Sequence, residues 1–141
     1  MISFEDKVKA LNEAKRVVKD NGYIFISYYI NDYAIMKHGF IDKNIKAAFE
    51  KKSVNEEFHV VSKENDLYSF VTMEEIDKLK NECKLVREKI ISQDGLTDYF
   101  RKEINSLDEE EFKLYLKYHF SICEKYEFLG TSSHVMDILR K

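Results

Sequence analysis

Proline is absent from the 141-residue sequence, and glycine occurs only four times. The glycines, Gly22, Gly39, Gly95 and Gly130, lie far apart along the chain. A dinucleotide-binding turn or a phosphate-binding loop needs several glycines within a few residues, because its backbone must approach the ligand closely. The sequence therefore excludes a GxGxxG turn and a P-loop within this chain.

Cysteine pairs, long apolar runs and blocks of one charge are also missing. Cys83 and Cys123 match neither a zinc knuckle nor a redox pair, so we expect buried, reduced thiols. No stretch has the roughly 18 apolar residues of a membrane span, and the first ten residues hold no apolar signal core. The net charge of −3 is spread over mixed signs, without a basic surface for nucleic acid. We expect a cytoplasmic protein that binds neither membrane nor nucleic acid.

The hydrophobic content of 44% is enough for a core, and the length suits a single domain over residues 1–141. The first segment predicts an amphipathic helix that begins with a capping box formed by Ser3 and Asp6 and ends at Gly22 in a left-handed conformation. The apolar positions at helical spacing are Phe4, Val8, Leu11, Ala14 and Val18.

Residues 23–29, "YIFISYY", are aromatic and β-branched without polar alternation. This pattern predicts a strand covered on both faces, as in a parallel α/β sheet. Residues 31–66 are less regular and indicate a helical insertion over a sheet edge, with helices beginning near Asn31 and Asp42 and strand-like pieces on both sides of the turn at 63–66.

The second half of the chain alternates helices and strands. Thr72 and Glu75 form a capping box before a helix, and residues 84–91 predict a strand. A helix is predicted in "DGLTDYFRKEINSL", and a second one begins at a capping box of Ser106 and Glu109. "SSHVMDILRK" predicts the last strand, which gives an α/β fold with three strands.

The predicted long helix over residues 109–127 is unusually apolar. Its apolar side chains cover about two-thirds of its circumference, against about a third in an ordinary surface helix. We expect this helix to bury two sides, either under other elements or against a partner chain.

The stretch "ALNEAKRVVKDNGYIFISYY" resembles the helix and fifth strand of class I S-adenosylmethionine-dependent methyltransferases, where "RVLKPGG" is the usual text. Asp20 and Asn21 stand where proline and the first glycine usually occur, and both are turn formers. The matching residues are Ala14, Lys15, Arg16, Val17, Val18, Lys19 and Gly22.

The later segments are similar to the sixth strand with its preceding helix, and to the seventh strand of that fold. The resemblance implies a partial Rossmann-like methyltransferase sheet made of family strands 5, 6 and 7, with the last strand antiparallel, flanking helices, and residues 31–66 as a substrate-side insertion. It covers only the second half of the family fold. The first half, which holds the glycine-rich cofactor loop, has no counterpart here, so the chain is expected to be a fragment, from an engineered chain, a split gene or a truncated gene.

The resemblance implies S-adenosylmethionine as the cofactor of the parent enzyme, with none bound tightly by this chain. The missing half would leave one apolar edge of the first strand unpaired. We expect that edge, or the apolar long helix, to be covered by a second copy of the chain in a homodimer or by a complementing N-terminal half.

Four residues are candidates for the substrate wall of the parent enzyme. Tyr28 and Tyr29 end the first strand at the sheet edge where α/β folds bind ligands; alternatively, one is core and the other packs under the insertion. His119 lies in the apolar arc of the long helix, as a substrate contact or as a buried, hydrogen-bonded side chain. His134 begins the last strand and either faces the pocket or caps the sheet. The histidine spacings indicate no metal site, and the catalytic residues stay undefined.

We therefore expect the substrate-side portion of a methyltransferase that acts on a small molecule and is inactive alone. The alternative is a non-enzymatic module that pairs with itself or with another chain. A small ligand-binding or regulatory domain is a third interpretation, based on the tyrosine content.

Overall fold

A computed structural model describes residues 3–63, 66 and 68–141. These residues form an α/β fold in which helices pack mainly against one face of a mixed sheet. The predicted class, an α/β sheet with flanking helices and a helical insertion, is confirmed at this level. The sequence predicts three strands, whereas the described residues form four.

The strands are β1 (Tyr23–Ile30), β2 (Phe70–Val71), β3 (Val86–Ser92) and β4 (His134–Arg140). Their order in the sheet is β2-β1-β4-β3. β2 runs parallel to β1, and β4 runs antiparallel to both β1 and β3. β1 and β3 therefore point in the same direction, and the last strand is antiparallel as predicted.

The additional strand β2 is only two residues long. It pairs with Tyr29 and Ile30 at the carboxyl end of β1. The rest of that edge of β1, Tyr23–Tyr28, pairs with no other strand within the described ranges.

The helices are α1 (Phe4–Val17), α2 (Asn31–Ala34), a π-helical segment (Ile35–Ile41), α3 (Ile45–Glu50), α4 (Met73–Glu82), α5 (Arg101–Asn105), α6 (Glu109–Ile122) and α7 (Tyr126–Leu129). None of them, over the part of the chain that the structure describes, has the length and apolar character needed to cross a membrane.

Helix starts follow the predicted capping boxes in two of three cases. Ser3 caps α1 with Asp6, and Thr72 caps α4 with Glu75. The third prediction, Ser106 with Glu109, is wrong: Asp108 caps α6 and Glu111 closes the box. Ser106 is unavailable because it ends α5 in a helical conformation, whereas Asp108 has the extended backbone that an N-cap needs.

The sequence predicts that Gly22 ends α1 in a left-handed conformation, but the structure gives that conformation to the preceding residue. Asn21 takes the left-handed conformation, with φ of 62°. At Gly22 the constraint is space, because an added Cβ would lie 2.6 Å from Cγ2 of Val18. Glycine is therefore required here because a side chain would collide with Val18 and the Lys19 carbonyl within the turn.

The insertion over residues 31–66 contains α2, the π-helical segment and α3, and it folds back onto the end of β1. The buried side chain of Asn31 holds it there: Nδ2 donates to the Phe58 carbonyl at 3.0 Å, and Oδ1 accepts from the Val60 amide at 2.9 Å. The tip of the predicted turn, residues 64 and 65, and residue 67 lie outside the described residues.

The two faces of the sheet have different environments. The covered face presents Ile24, Ile26, Tyr28, Val135, Asp137 and Leu139, and α1 and α4 pack on it. The open face presents Tyr23, Phe25, Val86, Met136 and Ile138.

The prediction that β1 is covered on both faces is therefore wrong. Phe25 on the open face is 62% exposed, although Ile24 beside it is buried. No helix of the described residues packs over Phe25, so the apolar residues around it on the open face have no cover.

The prediction that α6 lies under other elements is also wrong. Ile122 is its only buried residue, and Phe120 is 70% exposed. Most of its apolar circumference faces solvent, which leaves a partner chain as the remaining expectation for this helix.

Candidate functional site

A cavity of about 360 Å³ lies at the sheet edge formed by the carboxyl ends of β1 and β3 and the amino end of β4. This is the edge at which open α/β sheets bind their ligands. The volume is at the lower end of the range for small-molecule sites, about 300–1,000 Å³. Its walls are built by Tyr29, Tyr33, Asp94, Thr97, Asp98, Arg101, Asn105, Ser133 and His134.

A carboxylate–imidazole pair stands at the centre of this wall. Oδ2 of Asp94 lies 2.8 Å from Nδ1 of His134 and accepts the His134 backbone N–H at 3.0 Å. The Ser133 hydroxyl donates to the same oxygen at 2.6 Å. Because a carboxylate only accepts hydrogen bonds, Nδ1 of His134 carries a proton toward Asp94, and when the ring is neutral its lone pair is therefore on Nε2.

The turn that carries Asp94 is fixed by buried serines. The Ser132 hydroxyl accepts from the Asp94 and Gly95 amides at 3.2 and 3.0 Å and donates to the His134 carbonyl at 2.7 Å. The Ser92 hydroxyl accepts a second bond from the Gly95 amide. The position of the carboxylate is thus set by the backbone of two strand ends and does not depend on a mobile loop.

Gly95 lets this turn form against α6. Its φ is +55°, and an added Cβ would lie 3.2 Å from Nδ1 of His119. A residue with a side chain would be strained in this conformation and would crowd the imidazole. His119 therefore contributes packing behind the turn and is absent from the cavity wall.

Tyr29 forms the aromatic side of the cavity. Its ring centroid lies 4.5 Å from that of His134, directly across the β1–β4 pair, and 4.7 Å from that of Phe70. Tyr33 packs edge-on against it at 6.0 Å. These contacts restrict the Tyr29 ring and give the cavity a rigid planar wall.

A second polar group closes the cavity opposite the imidazole. The hydroxyl of buried Tyr33 donates to Oδ2 of Asp98, and Arg101 donates to the other carboxylate oxygen. The hydrogen bond from Tyr33 and the charge of Arg101 lower the pKa of Asp98. Burial and the Asp98 charge raise the pKa of Tyr33, so Tyr33 stays protonated and acts as a donor.

The structure brings together two of the four predicted substrate-wall residues, Tyr29 and His134. Tyr28 points to the covered face and lines an adjoining groove of about 400 Å³ that also contacts Tyr29 and His134. Burial raises the pKa of Tyr28. His119 lies outside the cavity, and its imidazole is only partly buried.

The sequence reasoning missed Asp94, Asp98, Tyr33, Arg101 and Ser133. The sequence does contain a signal for Asp94: it follows the end of β3 by two residues and begins a "DG" turn, and polar residues after a strand lie at the ligand-binding edge. Asp98 and Arg101 gave no comparable signal. Their contacts with the cavity depend on a turn at residues 95–100, where the sequence predicts a continuous helix.

The described residues around the cavity show neither a cluster of metal ligands nor a glycine-containing loop after β1. In the described part of the chain, no group of three or more histidine, cysteine or acidic side chains is placed to hold a metal ion. β1 passes directly into α2 at Asn31, without a glycine-containing loop at its carboxyl end. In comparisons with known proteins, no family model and no curated protein matches the chain.

Proposed function

We propose that this chain is the C-terminal, substrate-side portion of an S-adenosylmethionine-dependent methyltransferase that acts on a small molecule and is inactive alone. The observation that carries the proposal is the topology of the sheet. β1 and β3 run in the same direction, and a helix on the covered face precedes each of them. The last strand, β4, lies between them and runs antiparallel to both. The antiparallel direction of the last strand is the feature that the resemblance to family strands 5, 6 and 7 implies.

The position of the cavity supports a substrate role. It lies at the carboxyl edge of the parallel-running strands, where that fold class brings substrate and cofactor together. Tyr29 and His134, both predicted for the substrate wall, contact each other there.

The cofactor would have to be held by residues outside the described chain. The four glycines lie in separate elements, and the only one with positive φ, among those described, is Gly95, which packs against α6. We therefore assign no step of the transfer reaction to this chain's own cofactor contacts. S-Adenosylmethionine is expected to bind the isolated chain weakly or not at all.

The test is reconstitution with the polypeptide encoded directly upstream of this chain. Calorimetry should show stoichiometric S-adenosylmethionine binding by the co-expressed pair and none by either chain alone. An upstream sequence without a glycine-rich motif, or tight binding of S-adenosylmethionine to this chain alone, would contradict the proposal.

A second candidate function is a non-enzymatic module that assembles with itself or with a complementing chain. The observation that favours it is the uncovered apolar surface: Phe25 and Val86 on the open face, and the unpaired edge of β1 at Tyr23–Tyr28. Exposed strand edges and contiguous apolar patches are typical of association sites.

Sedimentation velocity over a concentration series distinguishes the surfaces that would associate. If the open face forms the contact, a Phe25→Ser, Val86→Ser double variant becomes monomeric. A Leu114→Ser, Phe120→Ser double variant on α6 is the matched control, with two apolar residues of similar exposure removed. A wild-type chain that stays monomeric at all concentrations would rule out self-association.

A further inference from the structure

We propose that the cavity binds a small phenol, with the phenol hydroxyl donating to Nε2 of His134 and its ring lying against Tyr29. The inference rests on the proposed function in one respect, since it names the class of the methyl acceptor. The binding site itself is argued from this chain alone.

The first argument is the hydrogen-bonding state of His134. Nδ1 is held by Asp94 at 2.8 Å, and the backbone N–H of His134 is bound to the same carboxylate. In its neutral form the ring therefore offers an acceptor at Nε2, to which no side chain in the described ranges donates. A ligand hydroxyl in the cavity can donate to this nitrogen in place of water.

The second argument is the shape and chemistry of the walls. Tyr29 and Tyr33 present aromatic surface on one side, and the cavity of about 360 Å³ is small. Aromatic side chains in edge-to-face contact stabilise a further ring placed beside them. A single-ring ligand places its hydroxyl at the imidazole while its ring contacts Tyr29.

The third argument concerns charge. Only one of the two carboxylates of the cavity has both oxygens bound within the protein, since the bonds to Asp94 all end on Oδ2. Asp94 accepts from Ser133 and from two donors of His134, and Asp98 is held by Tyr33 and Arg101. The guanidinium of Arg101 is paired with Asp98, so its charge is not available to attract an anion. The negative charge of Asp94 therefore favours the neutral phenol over its phenolate.

The same geometry prepares the hydroxyl for reaction. When the O–H bond of the phenol breaks, the proton forms a new N–H bond at Nε2 and the electron pair stays on the phenolate oxygen. The resulting imidazolium is stabilised by Asp94, which already binds the other ring nitrogen. His134 is the group that contacts the ligand, and Asp94 is a positioning residue.

The experiment compares two uncharged probes on the ¹⁵N-labelled chain by NMR. p-Cresol has the hydroxyl donor, and p-methylanisole has the same ring without it. We expect p-cresol to bind about fivefold more tightly, since one hydrogen bond to the imidazole separates the two probes. The shift changes should include the His134 ring nitrogens and leave those of exposed His59 unchanged.

Two variants test the assignment of the acceptor. His134→Phe keeps an aromatic ring and should remove the preference for p-cresol over p-methylanisole, while His59→Phe keeps it. Asp94→Asn should move the proton of His134 from Nδ1 to Nε2, visible in the two-bond nitrogen correlations, and reduce the preference. Amide spectra establish that each variant retains the sheet.

Three outcomes would overturn the inference: no binding of p-cresol at millimolar concentration, equal binding of both probes to the wild-type chain, or tighter binding of p-methylbenzylammonium. These outcomes are independent of the methyltransferase proposal, which is tested by reconstitution. A reconstituted pair that fails to bind S-adenosylmethionine would leave the phenol site in place, and the reverse result would leave the methyltransferase proposal in place.

Discussion

The covered and open faces of the sheet are made by the same strands from equally apolar residues. Ile24 and Phe25 are neighbours in β1, yet one is 8% exposed and the other 62%. The difference lies in the helices: α1 and α4 pack against the covered face, and the described residues provide no helix over Phe25. The composition of a strand thus indicates which side chains favour burial, whereas the helices that pack on the sheet determine which of them are buried.

The ion pairs on the two faces also differ in how deeply they are buried. On the covered face, the side chain of Asp137 is completely buried and is bound by Arg87 through two hydrogen bonds of 2.7 Å. On the open face, Arg140 and Glu88 pair at the surface. The interaction with Asp137 raises the pKa of Arg87, as expected for a charge held in a buried pair.

The largest effect should come from breaking the buried pair. Asp137→Ala leaves Arg87 partly buried with only Asp77 as its partner, and we expect a loss of about 3 kcal/mol in the free energy of unfolding. Urea denaturation followed by circular dichroism measures it. Arg140→Met, the matched change on the open face, should leave the urea midpoint unchanged; a similar loss in both variants would remove the distinction between the faces.

The next test uses the neighbouring residues of β1. Ile24→Ala removes packing against α1 and should cost about 2 kcal/mol of unfolding free energy. Phe25→Ala removes a larger side chain but from solvent, and should change the unfolding free energy of the monomer by only about 0.5 kcal/mol. Denaturation at low protein concentration compares them. Equal costs would mean that the open face is covered in solution.

A third test concerns the turn that fixes the cavity at the edge of the sheet. Gly95→Ala places a Cβ at φ of +55° and 3.2 Å from the His119 ring, so we expect a loss of about 1.5 kcal/mol. Gly130→Ala is the control, because its Cβ would meet only Met73 at an ordinary 3.9 Å. Thermal denaturation ranks the two variants, and a tolerant Gly95 would show that the turn is not rigid.

The smallest effect should be the pH-dependent contribution of Asp98. Its pKa is lowered in the folded chain by the Tyr33 hydrogen bond, so its stabilisation is present above the unfolded value of 3.8 and is lost as pH falls through the folded value. Asp98→Asn should cost about 1 kcal/mol at neutral pH, with the deficit shrinking below about pH 4.

Tyr33→Phe is the matched variant for that measurement, since it removes the donor and keeps the ring. It should reproduce the same direction of pH dependence in denaturation curves recorded at several pH values. A deficit that stays constant from neutral to acidic pH would show that Asp98 does not stabilise the closed end of the cavity through its charge.

Local patterns in the sequence were sufficient for most of the elements. The capping boxes at Ser3 and Thr72 and the apolar run of β1 each depend on a few adjacent residues, and all three predictions are confirmed. The cover of β1 and of α6 was predicted wrongly, because apolar periodicity shows a need for burial and carries no information on whether the chain meets it.

In the candidate site, too, the features that depend on adjacent residues could be predicted, and those that depend on distant contacts could not. Tyr29 and His134 could be placed at the ligand-binding edge from their positions at strand ends. Their contact with each other and with Asp94 could not, because it depends on β4 lying next to β1, about 105 residues along the chain, and on the end of β3. Asp98 was missed for a further reason, since its turn replaces part of a predicted helix.

The irregular pairing in β3 has a consequence for how this chain tolerates change. Arg87 and Lys89 oppose consecutive residues of β4, so Glu88 is a supernumerary position in the ladder. Loss of that one codon would join the two registers without turning any other side chain to the opposite side. This strand can therefore lose one residue at Glu88 while Arg87 and the end of β3 at the cavity stay paired with the same residues of β4.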